Sequence, residues 1–533
     1  MSVSQHQPAT FQHPTIGTIR CQRADGVLRF LGVRYGTLRH WFDNAQLCNY
    51  DGSGITADHH GPQAISDPKA LDLEYAAIQR SLPNPEFPGL SGTQCLSLNI
   101  HVPEGSDASS LLPVLVFIHG GGFAAGSNWW PQYDMQRIVQ LSAKQGKPVI
   151  GININYRLGA PGFAISEELL EAGYKANRGL HDQRLALQWV KQHIAGFGGD
   201  AARVTVSGES VGGLSTTRLL YTEETLASRI VVLGGAPPSM SPLPPAVADS
   251  TYQTMVERLE LQKLPRDERL KALQDVSISA IQTKLGPDLS FFPVLDNSLV
   301  PLSESFSSMA SEDYILKRSP CEAAMIVYSP LEMSIFAFMG VFAQRQGIAA
   351  AFAKSLRASL ASHPDPDAAA ARLLQCHGIT PELDDKSALL RVLQFGSGIA
   401  SQAAARALAS SFPGDAFLLQ FSEPNPWDGP FTGHSTHILD AAFLFQNYND
   451  HLSATQRAAA VQFAADVIAF AHGQEPWKPV RTANETAILE GGKRRQVEGP
   501  QAMTEPYRLL VEIGESVGLD SLLGAWLAFV FAM

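Results

Sequence analysis

Cysteine is scarce in this chain. Cys21, Cys48, Cys95, Cys321 and Cys376 are the five thiols in 533 residues, unclustered and odd in number. A disulfide framework is therefore excluded as the basis of the fold, and a reducing, cytoplasmic setting is expected. Basic charge is also in deficit, with 40 Lys and Arg against 51 Asp and Glu and a net charge of −11. That balance argues against a surface built for nucleic acid or an anionic membrane. The opening residues, MSVSQHQPATFQHPTIG, show neither the basic stretch nor the apolar core of a secretory signal. The apolar tail at residues 522–533 is too short to span a bilayer and reads as a final helix packed on the body. No H-E-x-x-H and no paired C-x-x-C occurs, so no metal and no other cofactor is expected. Apolar side chains, in contrast, make up 45% of the residues, enough for a large core and too many for disorder.

No internal repeat and no composition break marks a linker, so residues 1–533 are expected to form one folded unit. Residues 113–119 (PVLVFIH) and 148–156 (PVIGININY) are continuous apolar runs, and 203–207 (RVTVS) is a shorter one. Such runs belong to strands buried on both faces of a parallel sheet. Between the last two, residues 180–193 carry a helical period, so the stretch reads strand, helix, strand. From about 249 to 420 the character changes. Ala- and Leu-rich segments such as 347–360 and 368–375 predict helices, and the region is expected to cap the sheet. The fold class is α/β: a central, mostly parallel sheet flanked by helices, with helical cap insertions.

The pattern G-x-S-x-G occurs twice, at Gly208 to Gly212 and at Gly514 to Gly518, both times as GESVG. Small residues two before and two after the serine are what a tight strand-to-helix turn requires. Ser210 follows the β-branched run Val204-Thr205-Val206 and precedes an expected helix at 216–221. Ser516 follows an amphipathic helical stretch, 507–513, and leaves little chain after it for an acid and a histidine. Ser210 is therefore the nucleophile candidate and Ser516 a helix-end turn. Upstream, His119-Gly120-Gly121-Gly122-Phe123 directly follows the strand at 113–118. Converging backbone N–H groups on such a glycine loop can hold the oxyanion of a tetrahedral intermediate.

Five motifs then occur in order: HGGGF at 119–123, NYRLG at 155–159, NRGLHDQ at 177–183, FGGD at 197–200 and GESVG at 208–212. The series resembles the type-B carboxylesterase and cholinesterase-like family, especially its fungal members. The resemblance implies an α/β-hydrolase fold with a deep gorge, and oxyanion donors at Gly121, Gly122 and Val211. It aligns residues 326–333 (IVYSPLEM) with the segment that bears the triad acid, which makes Glu332 that acid, although Leu331 and Met333 replace the usual Asp and Gly. It aligns His437, with Asp440 and Phe445 after it, with the catalytic base, and leaves His434 as a loop neighbour. Elsewhere His59, His60, His363 and His472 are expected to face solvent.

The departures are informative. Ala64 stands where the resemblance expects the disulfide partner of Cys95, and Thr93 and Trp41 stand where it expects the Glu and Arg of a structural pair, whereas the implied Arg157–Asp182 pair is kept. Val211 replaces a usual Ala, and Leu233-Gly234-Gly235 replaces Gln-Ser-Gly, which removes a hydroxyl expected near the triad. No Trp lies between Ala64 and Cys95, so a cation–π site for choline esters is not expected. Trp129 and Phe336 are the candidates for an apolar substrate pocket. The reading is a serine hydrolase that cleaves small carboxylic esters through an acyl-enzyme, as a monomer or homodimer. A biosynthetic acyltransferase or cyclase with the same triad is the alternative, and a non-catalytic binding protein on the same fold is the remote one.

Overall fold

The computed structural model describes residues 6–531 apart from 223, 287, 343 and 344. Twelve strands run through one sheet: β1 (Gln7–His13), β2 (Gly17–Ala24), β3 (Val27–Arg34), β4 (Ser97–Pro103), β5 (Leu112–Ile118), β6 (Ile150–Ile154), β7 (Gly199–Glu209), β8 (Arg229–Leu233), β9 (Ala323–Tyr328), β10 (Asp415–Phe421), β11 (Glu485–Glu490) and β12 (Lys493–Glu498). Their order is β1-β2-β3-β4-β6-β5-β7-β8-β9-β10-β11-β12, and Ile55–Thr56 pairs alongside β2. The run from β6 to β11 is parallel, and the strands at both ends are antiparallel.

Alternation explains why the central strands read as unbroken apolar runs. In β5, Val114, Val116 and Ile118 face one core cluster, and Leu115 and Phe117 face the other. In β9, Ala324, Ile326 and Tyr328 divide from Met325 and Val327 in the same way. A strand covered on both faces has no solvent side to mark with polar residues.

The helices used below are α1 (Ala70–Ile78), α2 (Arg178–His193), α3 (Val211–Arg218), α4 (Ile348–Ser359), α5 (Pro366–Cys376), α6 (Asp385–Ser397), α7 (Glu505–Val517) and α8 (Leu519–Phe531). Expected helices at 180–193, 347–360 and 368–375 fall within two residues of α2, α4 and α5. The helix after Ser210 begins at Val211 rather than Thr216. Gly212 and Gly213, poor helix formers by propensity, are required there because a Cβ on Gly212 would lie 2.1 Å from the Ile118 carbonyl oxygen.

The stretch expected as one cap, about 249 to 420, is divided by β9, which runs through the middle of the sheet. The helices on its C-terminal side, α4 to α6, pack with α7 and α8 in a separate apolar cluster around Phe352, Phe395, Trp526 and Phe529. The tail helix therefore lies on the body as expected, as far as Phe531. No single helix among the described residues is long and apolar enough to cross a membrane, and α7 and α8 meet at a bend of 110°.

Candidate active site

Ser210 sits between β7 and α3 at φ +56° and ψ −125°, a region that L-residues rarely adopt. The surrounding glycines make this turn possible. A Cβ on Gly208 would lie 2.1 Å from the Gly212 carbonyl oxygen, and one on Gly235 would lie 1.7 Å from the Ser210 carbonyl oxygen. The serine is partly exposed, at the positive end of α3. Ser516 is different. It lies inside α7, where its hydroxyl donates to the Ile513 carbonyl at 2.8 Å.

The glycine loop lies directly beside this turn. A Cβ on Gly120 would come within 2.2 Å of Glu209 Oε2 and 2.9 Å of Ser210 Cβ. Gly121 and Gly122 both have positive φ, +94° and +64°. Their N–H groups donate to no acceptor among the described residues. The NYRLG segment holds the loop. The Asn128 N–H and the Ser127 hydroxyl both donate to Asn155 Oδ1, at 2.7 and 3.0 Å. The Tyr156 hydroxyl donates to the His119 carbonyl at 3.0 Å while its ring stacks on the imidazole. Burial lowers the pKa of His119 to about 4, so it is a neutral packing element. Arg157 makes a bidentate pair with Asp182, both contacts 2.7 Å and both side chains buried.

Glu332 lies just past β9 and His437 past β10, and their loops are tied by the Leu331 N–H donating to the Ser435 carbonyl at 2.9 Å. Glu332 is wholly buried. One carboxylate oxygen accepts the Ser329 N–H at 2.7 Å, and the other is hydrogen-bonded to His437 Nδ1. Gly234 and Gly235 bring the two halves together: Gly235 lies against Ser210, and a Cβ on Gly234 would lie 2.5 Å from Glu332 Oε1 and 3.3 Å from His437 Nδ1. On its other side His437 Nε2 lies 3.1 Å from Glu209 Oε1, at ion-pair distance but without hydrogen-bond alignment. Burial alone would lower the imidazole pKa. Glu209, Glu332 and Asp440 outweigh burial and raise it to about 9. Asp440 is itself raised to about 7, by burial and then by repulsion from Glu332. Burial, joined by repulsion from Glu74, Asp440 and Glu332, drives Glu209 well above the usual carboxylate range.

Trp129 and Phe336 are packed residues. The Trp129 indole N–H donates to Gln63 Oε1 at 2.6 Å, and its ring lies edge-on to Phe87. Phe336 lies against Trp526 and Phe531 of α8. His60 departs from its expected solvent exposure: it is largely enclosed beside Asn99, and burial lowers its pKa to about 4. Sequence reasoning missed Glu74. It lies on the buried face of α1 with Leu71, Tyr75 and Ile78, and that acid in an otherwise apolar stripe was the available signal.

A model of the Carboxylesterase family matches residues 10–497. Lipase 2 of Diutina rugosa is 39% identical over 205 residues, and Secreted lipase 1 of Botryotinia fuckeliana is 50% identical over 125 residues. Those alignments cover 35% and 24% of this chain and span 35% and 21% of the lengths of those relatives. The fold is similar to that of a solved PNB esterase, with a TM-score of 0.71 at 22% identity, covering 95% of this chain and 99% of that one. With the glycine loop, the serine turn and the family match agreeing over nearly the whole length, this chain belongs to the carboxylesterase family.

Proposed function

We propose that this chain is a serine hydrolase of small carboxylic esters. The observation that carries the reading is the hydrogen bond between Glu332 and His437, with Gly234 against that pair and Gly235 against the strained Ser210 turn. In the first step Ser210 Oγ attacks the ester carbonyl and His437 takes its proton at Nε2. Glu332 holds the ring by Nδ1 and offsets the imidazolium charge. The N–H groups of Gly121, Gly122 and Val211 hold the oxyanion, each such donor being worth roughly 10²–10³ in rate. His437 then returns the proton to the departing alcohol, and water releases the acyl group by the same steps. A biosynthetic acyltransferase or cyclase would differ only in the acceptor, with a hydroxyl replacing water. Product analysis in isotopically labelled water separates the two outcomes. The five free thiols support a reducing, cytoplasmic setting, while the relative named a secreted lipase speaks against it; fractionation of the producing cells decides.

The test is intact mass after fluorophosphonate treatment. One adduct is expected on wild type and on Ser516→Ala, and none on Ser210→Ala. No adduct on wild type would replace the hydrolase reading with that of a non-catalytic binding protein. An adduct that persists on Ser210→Ala would overturn the assignment of the nucleophile.

A further inference from the structure

Helix α1 places a carboxylic acid where its other inward residues are apolar. Glu74 is 7% exposed, on the face shared by Leu71, Tyr75 and Ile78. A buried carboxyl needs partners. Glu74 has one in Gln132, whose Nε2 donates to Oε1 at 2.8 Å. Gln132 is in turn anchored through its carbonyl, which accepts from Asn447 at 3.1 Å. The next residue, Tyr133, is wholly buried, and its hydroxyl lies within electrostatic reach of both Glu74 and Glu209. Glu209 is the carboxylate 3.1 Å from His437 Nε2. An electrostatic path through buried groups, not a hydrogen-bonded one, therefore leads from α1 through Tyr133 and Glu209 to the imidazole: the Tyr133 hydroxyl and both Glu209 carboxylate oxygens have no hydrogen-bond partner among the described residues.

From this geometry we infer that Glu74 is a positioning residue for the base: from α1 it contributes to the field in which His437 takes and returns its proton. The inference rests on the hydrolase reading above. The ionisable groups that face this path are Glu209 at the end of β7, Glu332 after β9, Asp440 after His437, Tyr133, and Tyr448, whose hydroxyl donates to the Arg80 carbonyl at 3.1 Å. Glu74 itself is raised to about 7, by burial above all, so it is ionised by the time His437 titrates near 9. A negative charge there favours the imidazolium. Its removal lowers the pH at which the base becomes free.

The experiment is the pH profile of kcat and kcat/KM on a p-nitrophenyl ester for wild type, Glu74→Gln, Glu74→Leu and Leu73→Ala. Leucine suits the apolar face, so a charge-free variant remains should the glutamine variant not fold. Leu73 is on the same helix and 53% exposed, so its variant perturbs α1 without touching the path. The acid limb of kcat/KM is expected to move down by roughly half a pH unit or more in both Glu74 variants and to stay in place in Leu73→Ala. A limb that stays in place in a folded, active Glu74 variant overturns the inference, as does an equal shift in Leu73→Ala. Fluorophosphonate labelling separates the two levels. A wild type that does not label fails the hydrolase reading, whereas one that labels with an unmoved limb fails only the role of Glu74.

Discussion

At Gly234 the backbone takes φ +59°, and any Cβ would intrude on the carboxylate that orients the imidazole. The resemblance expects a hydroxyl at this position, and here Glu332 keeps two donors, the Ser329 N–H and His437. Gly234→Ala should therefore displace Glu332 and lower kcat roughly tenfold, about 1.4 kcal/mol of barrier, with little change in KM. Steady-state kinetics check this, and an unchanged kcat would remove Gly234 from the site's geometry. Residues of this kind were unevenly legible. Ser210 and the glycine loop carry local signatures because tight turns demand small residues at fixed offsets. Glu332 does not, since its neighbours Leu331 and Met333 are set by packing into the apolar cluster around Phe352 rather than by the hydrogen bond to His437. Glu74 was missed because its partner Gln132 lies 58 positions away, and no local pattern joins them.

Elements hold the reactive loops in place, and Asn155 shows how. Its carboxamide oxygen accepts two donors from the segment that follows the glycine loop, while the Asn155 carbonyl takes the Tyr35 hydroxyl at 2.6 Å. Asn155→Ala leaves a buried N–H and a hydroxyl without that acceptor, a cost of about 1–3 kcal/mol. A lower Tm and slower fluorophosphonate labelling are expected together. A lower Tm with unchanged labelling would mean that Asn155 supports the fold but not the geometry of the glycine loop. Elements buried on both faces, β5 and β6, were readable as apolar runs. β9 was not read as a strand: its short AAMIVY run lies among helix-forming segments, and only the sheet shows that it divides the region expected as one cap. The start of α3 was misplaced for a related reason, because glycine opposes helix locally while close packing against β5 requires it.

Across the whole molecule, buried titratable groups set stability and activity at different pH values. His60, His119, His181 and His193 are lowered to about 4 and His101 to about 3, each chiefly by burial. A histidine lowered in the fold binds its proton more readily when unfolded, so its stability contribution is complete above about 6.5 and is lost as pH falls toward 4. Glu74, Asp440 and Glu209 are raised, so their contributions run the other way and are lost as pH climbs toward and past 7. Between pH 5 and 6 the five histidines outnumber the three acids, and stability rises with pH. Above 6.5 the slope from the histidines dies away as the unfolded imidazoles lose their protons. The acids then combine with His437, whose folded value of about 9 exceeds its unfolded one, and stability falls as pH rises to 9. His437, the proposed base, becomes neutral only over that same alkaline range. Tm should therefore peak near pH 6 to 7 while kcat/KM continues to climb toward pH 9. Thermal melts and initial rates across one buffer series test the separation. Coincident optima would mean that His437 is neutral well below 9 and that the acids around it do not hold its proton.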